Sequence, residues 1–233
     1  MDNLPQIISA ILDELESKNA IRDATLARSR TLIRYCANSI RAVHRGEFAA
    51  AEELLQAARD TAEEMVRDLA AHPDIYFAGY TQDALKELAE AHITYAIIAD
   101  KPVPTPKELG VEPAAYLNGM GEAAGELRRF VLDCIRRGQV NEGERALEAI
   151  DVIYSYLVTV DYPDAVTGGL RRTTDMVRGV LERTRGDFTT AVRQDQLQDA
   201  LRNLERKLGQ PDGPDPRITP VDTSGECDRN PDE

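Results

Sequence analysis

The sequence predicts an all-α protein, a single-domain antiparallel helical bundle of about seven helices. Hydrophobic residues make up 42% of the 233 positions, aromatic residues make up only 5%, and Trp is absent, which favours helices over a sandwich or barrel. Apolar residues recur at helical spacing from near the start to about residue 207, and Gly and Pro fall mainly between these segments. A chain of this length buries a sizeable core as one domain.

Seven segments carry the helical pattern. They span residues 3–17, 20–45, 47–71, 80–100, 113–137, 140–160 and 167–207. The clearest breaks, at residues 72–74, 101–106 and 161–163, each contain proline, which lacks the backbone N–H that a helix interior uses. The Pro-rich break is too short to be read as a domain linker, so one domain is predicted. The last segment is expected to break near Gly186 because glycine weakens a helix.

The composition changes after residue 208. Residues 209–233 hold seven acidic residues against Arg217 and Arg229, with several Pro and Gly. Such a segment buries too little apolar surface to order itself, so the sequence predicts a helical domain over residues 1–208 and a disordered acidic tail over residues 209–233. The net charge is −13, which weakens the expectation of nucleic-acid binding, so any RNA interpretation must rest on a local basic surface.

The sequence contains no membrane or disulfide signal. No stretch approaches the roughly 18 uninterrupted apolar residues of a membrane span, and the N-terminus lacks a basic region followed by an apolar core. Cys36, Cys134 and Cys227 are too few and too scattered for a disulfide framework or a cysteine-based zinc site. We therefore expect a cytoplasmic protein with reduced thiols and no membrane partner.

The second predicted helix carries a line of arginines. At 100° per residue, Arg30, Arg34, Arg41 and Arg45 fall within about 60° of one another, beside an apolar face. We call these four residues the Arg stripe. One interpretation is a surface that follows RNA phosphates, since Arg pairs bidentately with phosphate oxygens; the other is a solvated face paired to nearby acids.

Two glutamate pairs lie on neighbouring predicted helices. Glu87 and Glu90 are three residues apart and Glu122 and Glu126 are four apart, so each pair projects from one side of its helix. Residues 91–99 are apolar nearly all round, which indicates a buried helix and makes a glutamate pair at its end costly. A solvated face is the alternative interpretation for both pairs.

Three glycines interrupt the start of the helix that carries the second pair. Gly119, Gly121 and Gly125 each cost up to about 1 kcal/mol relative to Ala in a helix interior. Close approach of a neighbouring helix, bringing Glu126 toward Glu87, would account for them, and so would tight packing. If the pairs meet, four carboxylates within about 8 Å suit Mg²⁺, with Mn²⁺ as the alternative ion, and phosphodiester hydrolysis follows.

Competing chemistries fit less well. Neither glutamate pair has the Glu-x-x-His spacing of a di-iron bundle. His44, His72 and His92 are isolated in sequence, which gives no support for a zinc site or a Ser-His-Asp triad, and His92 is expected to be a core or supporting histidine. The sequence also lacks the Gly-x-x-x-x-Gly-Lys-Ser/Thr loop that cradles nucleotide phosphates.

Residues 116–129, Tyr-Leu-Asn-Gly-Met-Gly-Glu-Ala-Ala-Gly-Glu-Leu-Arg-Arg, resemble the signature helix of the translin superfamily. That signature reads Tyr-Leu-x-Gly, an acidic residue, Gly-Glu-Leu and an Arg two positions later, and the resemblance covers most of residues 20–205. Catalytic members, translin-associated factor X and its prokaryotic relatives, carry a Glu-x-x-Glu pair and an acid-x-x-x-Glu pair. The matching residues, implied to be catalytic and metal-binding, are Glu87, Glu90, Glu122 and Glu126.

The resemblance implies Mg²⁺-dependent endonucleolytic cleavage of single-stranded RNA inside a closed homo-oligomer, expected to be an octamer. Single-stranded DNA is an alternative ligand, and Arg129 joins the Arg stripe as a candidate RNA contact. The chain departs from the family in having Glu122 where Asp is frequent, and Asp133-Cys134 where Asn-Ser is usual. Two further interpretations stay open: a translin-like RNA- or DNA-binding protein without catalysis, and a structural helical adaptor.

Overall fold

The computed structural model describes residues 3–208, and within this range the regular secondary structure is entirely α-helical, which confirms the predicted class. The long helices are α1 (Leu4–His44), α2 (Phe48–Asp68), α4 (Gly79–Ile98), α6 (Pro113–Arg137), α7 (Val140–Leu157) and α9 (Leu170–Leu208). Short helices in the connections are α3 (Pro73–Tyr76), α5 (Pro106–Leu109) and α8 (Asp164–Thr167). None of the helices in residues 3–208 is both long and apolar enough to cross a membrane.

The predicted breaks contain single helical turns that begin at or after prolines. Pro73 and Pro106 are the first residues of α3 and α5, and Pro163 precedes α8. Proline is tolerated in a first turn because its missing N–H has no intrahelical partner there. In α5 the Thr105 hydroxyl accepts the backbone N–H of Glu108, whose carboxylate accepts the N–H of Thr105, so a capping box fixes the turn.

Two predicted helix ends are wrong. The segments predicted at 3–17 and 20–45 form one continuous helix, α1, because residues 16–21 contain neither Gly nor Pro to stop it. Helix α9 also continues through Gly186, where the sequence predicts a break. A single glycine lowers helix stability by up to about 1 kcal/mol but keeps its backbone hydrogen bonds, so it need not end the helix.

Helix α4 forms the centre of the packing. It contacts both α1 and α6, while α2 packs mainly on α1 and α7 packs on α6. This follows from its sequence, because the second half of α4, residues 91–98, is apolar nearly all round, and a helix of that kind must be covered on several sides. Leu85, Leu88 and Ile93 of α4 are buried. His92 is also buried in α4, so the prediction of a core histidine is confirmed.

The described residues divide into two compact units, one ending at Ala191 and the other beginning at Val192. The first unit contains α1 to α8 and the start of α9. Its α1 carries an exposed apolar stripe before the helix reaches the core; the stripe residues are Leu4, Ile7, Ile8, Ile11, Leu12 and Leu15. The predicted acidic tail at 209–233 lies outside the described residues, and the single domain over 1–208 stays a prediction.

Candidate metal centre

Helices α4 and α6 approach each other closely at Gly119. A Cβ atom at this position would lie 2.5 Å from the carbonyl oxygen of Lys86, 2.9 Å from the Cβ of Ala89 and 3.0 Å from the amide nitrogen of Glu90. Two backbones this close leave no room for a side chain, so glycine is required by space. The contact adjoins Glu90 on α4, and Glu122 follows one turn after Gly119 on α6.

The other two glycines of this helix have different surroundings. A Cβ at Gly121 would clash with the side chain of Thr173 and touch Leu157, so Gly121 serves tight packing. A Cβ at Gly125 would meet nothing within 4 Å. Both explanations from the sequence therefore apply: Gly119 permits the close approach of α4, and Gly121 permits tight packing. Gly125, the glycine beside Glu126, contributes to neither contact.

Three of the predicted glutamates come together between α4 and α6. Glu87, Glu90 and Glu122 each offer one carboxylate oxygen, and these three oxygens lie within 4.8 Å of one another. Glu90 is buried, and the other two are partly buried. We call these three residues the glutamate cluster. An all-oxygen donor set of this kind suits hard divalent cations such as Mg²⁺.

The surroundings of the cluster oppose its ionisation. Burial, followed by the charges of Glu87, Glu122 and Glu126, raises the pKa of Glu90 to about 8. Burial also raises the pKa of Glu87, with the charge of Glu122 as the next cause. The buried thiol of Cys36 on α1 feels the same charges: burial and then Glu87 and Glu90 raise its pKa, which keeps the thiol neutral.

Lys86 supplies one positive charge at the edge of the cluster, and sequence analysis did not identify it. Its Nζ donates a hydrogen bond of 2.7 Å to Oε1 of Glu122. Burial acts to lower the pKa of Lys86, but the hydrogen bond and charge of Glu122 outweigh it and hold that pKa above its ordinary value. One ammonium beside three carboxylates leaves the fully ionised cluster negative, so a divalent cation is still attracted.

Glu126 lies outside the group of three and is bound to His44 instead. Nε2 of His44 and Oε2 of Glu126 are 2.6 Å apart, and the His44 side chain is only 3% exposed. The hydrogen bond from His44 lowers the pKa of Glu126 in spite of its partial burial, and the nearby guanidinium of Arg129 acts in the same direction. The charge of Glu126 also contributes to the raised pKa of Glu90, so Glu126 lies close to the cluster.

His44 is isolated in the sequence, but the fold gives it a partner, Glu126. His44 is the last residue of α1 and stands 82 positions before Glu126, a separation that no spacing rule connects. The sequence offers one weak local signal, that His44 directly follows the apolar Ala42 and Val43; in the structure all three are buried, so the imidazole meets a neighbouring helix.

Comparison with known proteins places the fold and the site in context. No protein-family model matches the sequence. The uncharacterized protein MJ0175 of Methanocaldococcus jannaschii is 31% identical over 206 residues, which cover 87% of this chain and 90% of that protein. The crystal structure of AfC3PO is similar with a TM-score of 0.73 and 33% identity, over 79% of this chain and 96% of AfC3PO.

The structure of the AfC3PO–duplex RNA complex gives a TM-score of 0.72 and 34% identity, over 79% of this chain and 95% of that one. C3PO proteins are translin-family proteins. The chain belongs to the translin superfamily. The structure of apo-NeC3PO, with a TM-score of 0.71 at 21% identity, shares the fold.

The signature helix of the translin superfamily is α6 in this chain, and its polar residues have defined partners. The hydroxyl of Tyr116 donates to the carbonyl of Pro104 at 2.8 Å. The amide of Asn118 donates to the carbonyl of Thr167 at 2.8 Å and accepts from the hydroxyl of Thr173 at 2.6 Å. These bonds tie α6 to the α4–α5 connection, to α8 and to the start of α9, and so fix the helix that carries Glu122.

The Arg stripe of this translin-superfamily chain is exposed along its length. Arg45 is paired with Glu47 at 2.6 Å, whereas Arg30 and Arg34 form no ion pair with any residue in 3–208. On a helical wheel the stripe is centred about 70° from His44 and about 150° from the buried Cys36, so it lies largely away from the face of α1 that packs on α4. The guanidinium groups of Arg30 and Arg34 are therefore exposed and have no acidic partner in the described chain.

Proposed function

We propose that the protein is an endoribonuclease that hydrolyses phosphodiester bonds of single-stranded RNA with Mg²⁺ held by the glutamate cluster, Mn²⁺ being the alternative ion. The observation that carries the proposal is the convergence of Glu87, Glu90 and Glu122 within 4.8 Å. AfC3PO, 34% identical to this chain, forms a complex with duplex RNA, which supports nucleic-acid binding by this fold. Single-stranded DNA is an alternative substrate. We further propose a cytoplasmic homo-octamer that encloses the site.

The donor chemistry of the cluster fits Mg²⁺. All three donors are carboxylate oxygens, and burial together with their mutual repulsion raises the pKa of Glu90 to about 8. A bound dication relieves that repulsion, so binding and deprotonation support each other. When bound, such an ion acidifies water and offsets negative charge on a phosphate, which is the chemistry that phosphodiester hydrolysis requires.

Glu126 is the candidate to hold and orient the attacking water. Its pKa is lowered by the hydrogen bond from His44, so the carboxylate is ionised and able to accept a proton at neutral pH. The buried His44 fixes one carboxylate oxygen at 2.6 Å and leaves the other for solvent or substrate. Arg129, which lies 3.8 Å from Glu126, and the exposed Arg stripe are the candidate contacts for RNA phosphates.

Nucleic-acid binding without cleavage is the second candidate. The ion pair between Lys86 and Glu122 favours it, because the ammonium neutralises one carboxylate of the cluster without any cation. The two candidates differ in one observable, the appearance of new RNA ends in the presence of a divalent ion.

The test uses a labelled single-stranded RNA incubated with the purified full chain in Mg²⁺, in Mn²⁺ and in EDTA. We expect internal cuts with either ion and intact RNA with EDTA. Glu90→Gln should cut at least about 100-fold more slowly, on the scale of a lost electrostatic contribution to catalysis. Glu63→Gln, which changes an exposed glutamate on α2, is the matched control and should cut as fast as the wild type.

If the wild type binds the RNA but leaves it intact in both Mg²⁺ and Mn²⁺, the ribonuclease is overturned and nucleic-acid binding without cleavage remains as the function. Equal cutting by the Glu90 and Glu63 variants would show that the nuclease activity of the preparation does not come from the glutamate cluster.

A further inference from the structure

An open cleft adjoins the glutamate cluster within the unit that ends at Ala191. It has a volume of about 1120 Å³, and its walls come from α4, α6, α8 and the start of α9. Small-molecule sites occupy about 300–1000 Å³, so the cleft is large enough for a nucleotide. Lys86 and Glu122 line this cleft and also belong to the centre, so a ligand in the cleft touches the metal-binding side chains.

Phe77 offers an aromatic surface at the cleft. Its ring is 63% exposed and packs edge-to-face on Tyr76, with ring centroids 4.8 Å apart. Tyr76 is itself fixed, because its hydroxyl donates to Glu112 at 2.9 Å and its carbonyl accepts from the Gln82 amide at 2.8 Å. The exposed ring is therefore held in place, and a fixed aromatic ring is the surface on which single-stranded nucleic acids stack their bases.

The remaining walls provide apolar contact and one cation. Val166 and Met176 line the cleft and are exposed, which gives a base apolar surface beyond Phe77. Arg172 lies in the same wall and forms no ion pair within residues 3–208. A guanidinium without an acidic partner is available to bind a phosphate oxygen.

Carboxylates in the cleft add a preference among bases. Asp83, Glu112 and Asp164 line it in addition to Glu122. Their charge disfavours a polyphosphate, while carboxylate oxygens accept hydrogen bonds from exocyclic amino groups. Adenine, cytosine and guanine carry such a group and uracil does not, so the lining favours the first three.

We propose that this cleft is a nucleotide subsite of the centre, in which one RNA base stacks on Phe77, Arg172 binds its phosphate, and bases with an amino group are preferred over uracil. The proposal rests on the proposed ribonuclease function, since the RNA bound here is the substrate. Because Glu122 belongs to the glutamate cluster and Lys86 donates a hydrogen bond to it, the nucleotide in the cleft is the neighbour of the scissile phosphodiester. The subsite therefore sets where the RNA is cut.

Binding is measured in EDTA with fluorescent 12-nucleotide oligoadenylate, oligocytidylate and oligouridylate, so that cleavage does not interfere. The wild type should bind the first two more tightly than oligouridylate. Phe77→Ala should weaken binding of oligoadenylate about tenfold, the scale of one lost base–aromatic stack, while Phe48→Ala, which removes an exposed phenylalanine outside the cleft, should not. Arg172→Gln should weaken the binding of all three oligonucleotides and reduce the number of counterions released on binding by about one, as measured from the salt dependence of the affinity. The control variant Arg171→Gln, at an exposed neighbouring arginine, should change neither.

Cleavage of the same RNAs by the wild type in Mg²⁺ is scored separately. If the wild type cleaves RNA but Phe77→Ala and Arg172→Gln bind RNA as tightly as the wild type, the subsite is overturned and the ribonuclease stands. If these variants bind RNA more weakly but the wild type does not cleave it, the ribonuclease is overturned and the subsite stands. A change of particle size in light scattering for Phe77→Ala would show that the cleft is a contact between copies of the chain, which also overturns the subsite.

Discussion

Glu90 combines deep burial with three like-charged neighbours, and these make its ionisation the costliest in the glutamate cluster. Burial, and then Glu87, Glu122 and Glu126, raise its pKa from an ordinary 4.5 to about 8. Between these two values the folded chain binds more protons than the unfolded chain. The stability that this group contributes is therefore fully present below about pH 4.5 and is lost as the pH rises through about 8.

Glu90→Gln should remove this component of the pH dependence. In EDTA, ionisation of Glu90 should lower the free energy of unfolding of the wild type by about 2 kcal/mol between pH 6 and pH 8.5. The free energy of unfolding of Glu90→Gln should fall by clearly less over the same range. Urea unfolding at fixed protein concentration measures both, with Glu63→Gln expected to follow the wild type. Identical pH profiles for Glu90→Gln and wild type would mean that the carboxyl group of Glu90 is not strained by its neighbours.

The pair of His44 and Glu126 makes an opposite contribution. The pKa of Glu126 is lowered by the hydrogen bond from His44, so the stability from this carboxylate is present above its ordinary pKa and is lost as the pH falls through the lowered value. His44→Ala should lower the free energy of unfolding at pH 7 by about 2 kcal/mol, because it removes a charge-assisted hydrogen bond. His44→Gln, which keeps a donor, should recover part of the loss.

Urea unfolding at pH 7 and pH 4 measures the effect of the His44 variants. The part due to charge should shrink at pH 4, and His72→Ala, which changes a partly exposed histidine, serves as the control. A loss of the same size for His44→Ala and His72→Ala would contradict the account of this pair.

Single residues differed in how far the sequence alone could predict them. Short helical spacing and the translin-like signature are local patterns, and they are why the sequence points to Glu87, Glu90 and Glu122, which the structure brings together. His44 was missed because its partner is 82 positions away, and contacts of that range are decided by helix packing. Lys86 was missed for the same reason, since it meets Glu122 across two helices.

At the level of helices, one glycine determines how near α4 and α6 come. Alanine at position 119 would place its Cβ 2.5 Å from the Lys86 carbonyl oxygen, so the helices would have to separate. We expect Gly119→Ala to cost about 2–3 kcal/mol, the scale of overpacking, and to weaken Mn²⁺ binding because Glu122 moves away from Glu90. Unfolding and calorimetric titration of Mn²⁺ measure the two effects.

Gly125→Ala is the matched control in the same helix. Its Cβ meets nothing within 4 Å, so it should raise stability by up to about 1 kcal/mol through helix propensity and leave Mn²⁺ binding nearly unchanged. If Gly119→Ala proved as stable as Gly125→Ala and bound Mn²⁺ equally well, the close approach would not be what assembles the cluster.

The sequence predicted helix identity better than helix ends. Proline marked the true connections at α3, α5 and α8 because it removes a backbone donor. Gly186 did not mark a break, since tertiary packing of Thr184 and Phe188 on either side keeps α9 in place. The sequence indicated that the glycines of α6 serve close packing. Which residue each glycine packs against depends on which helix lies opposite, and the sequence does not show that.

For the whole molecule, the apolar stripe of α1 is the strongest indication of self-association. Its six side chains are 46–59% exposed, and an exposed apolar stripe of this length is covered by another protein surface in most soluble proteins. Ile8→Glu with Leu15→Glu should reduce the proposed homo-octamer to smaller particles. The matched control is the double variant Ser9→Glu with Ala10→Glu, on the other side of the helix. If light scattering gave equal particle masses for the two double variants, the apolar stripe would be excluded as the contact between chains.

The all-α class and the membership of the translin superfamily were predictable because they depend on composition, periodicity and one signature helix. The assembly was implied by family resemblance alone, since a single chain shows an apolar stripe without its partner.

The central claim is that Glu87, Glu90 and Glu122 hold a divalent cation together. Anomalous diffraction from crystals of the full chain soaked in Mn²⁺ at pH 8.5 tests it most directly, because the ion itself is located. We expect one strong peak between α4 and α6, about 2.0–2.3 Å from a carboxylate oxygen of each glutamate, and its loss in Glu90→Gln crystals. A peak at other residues, or none at the cluster while Mn²⁺ binds the protein in solution, would contradict it.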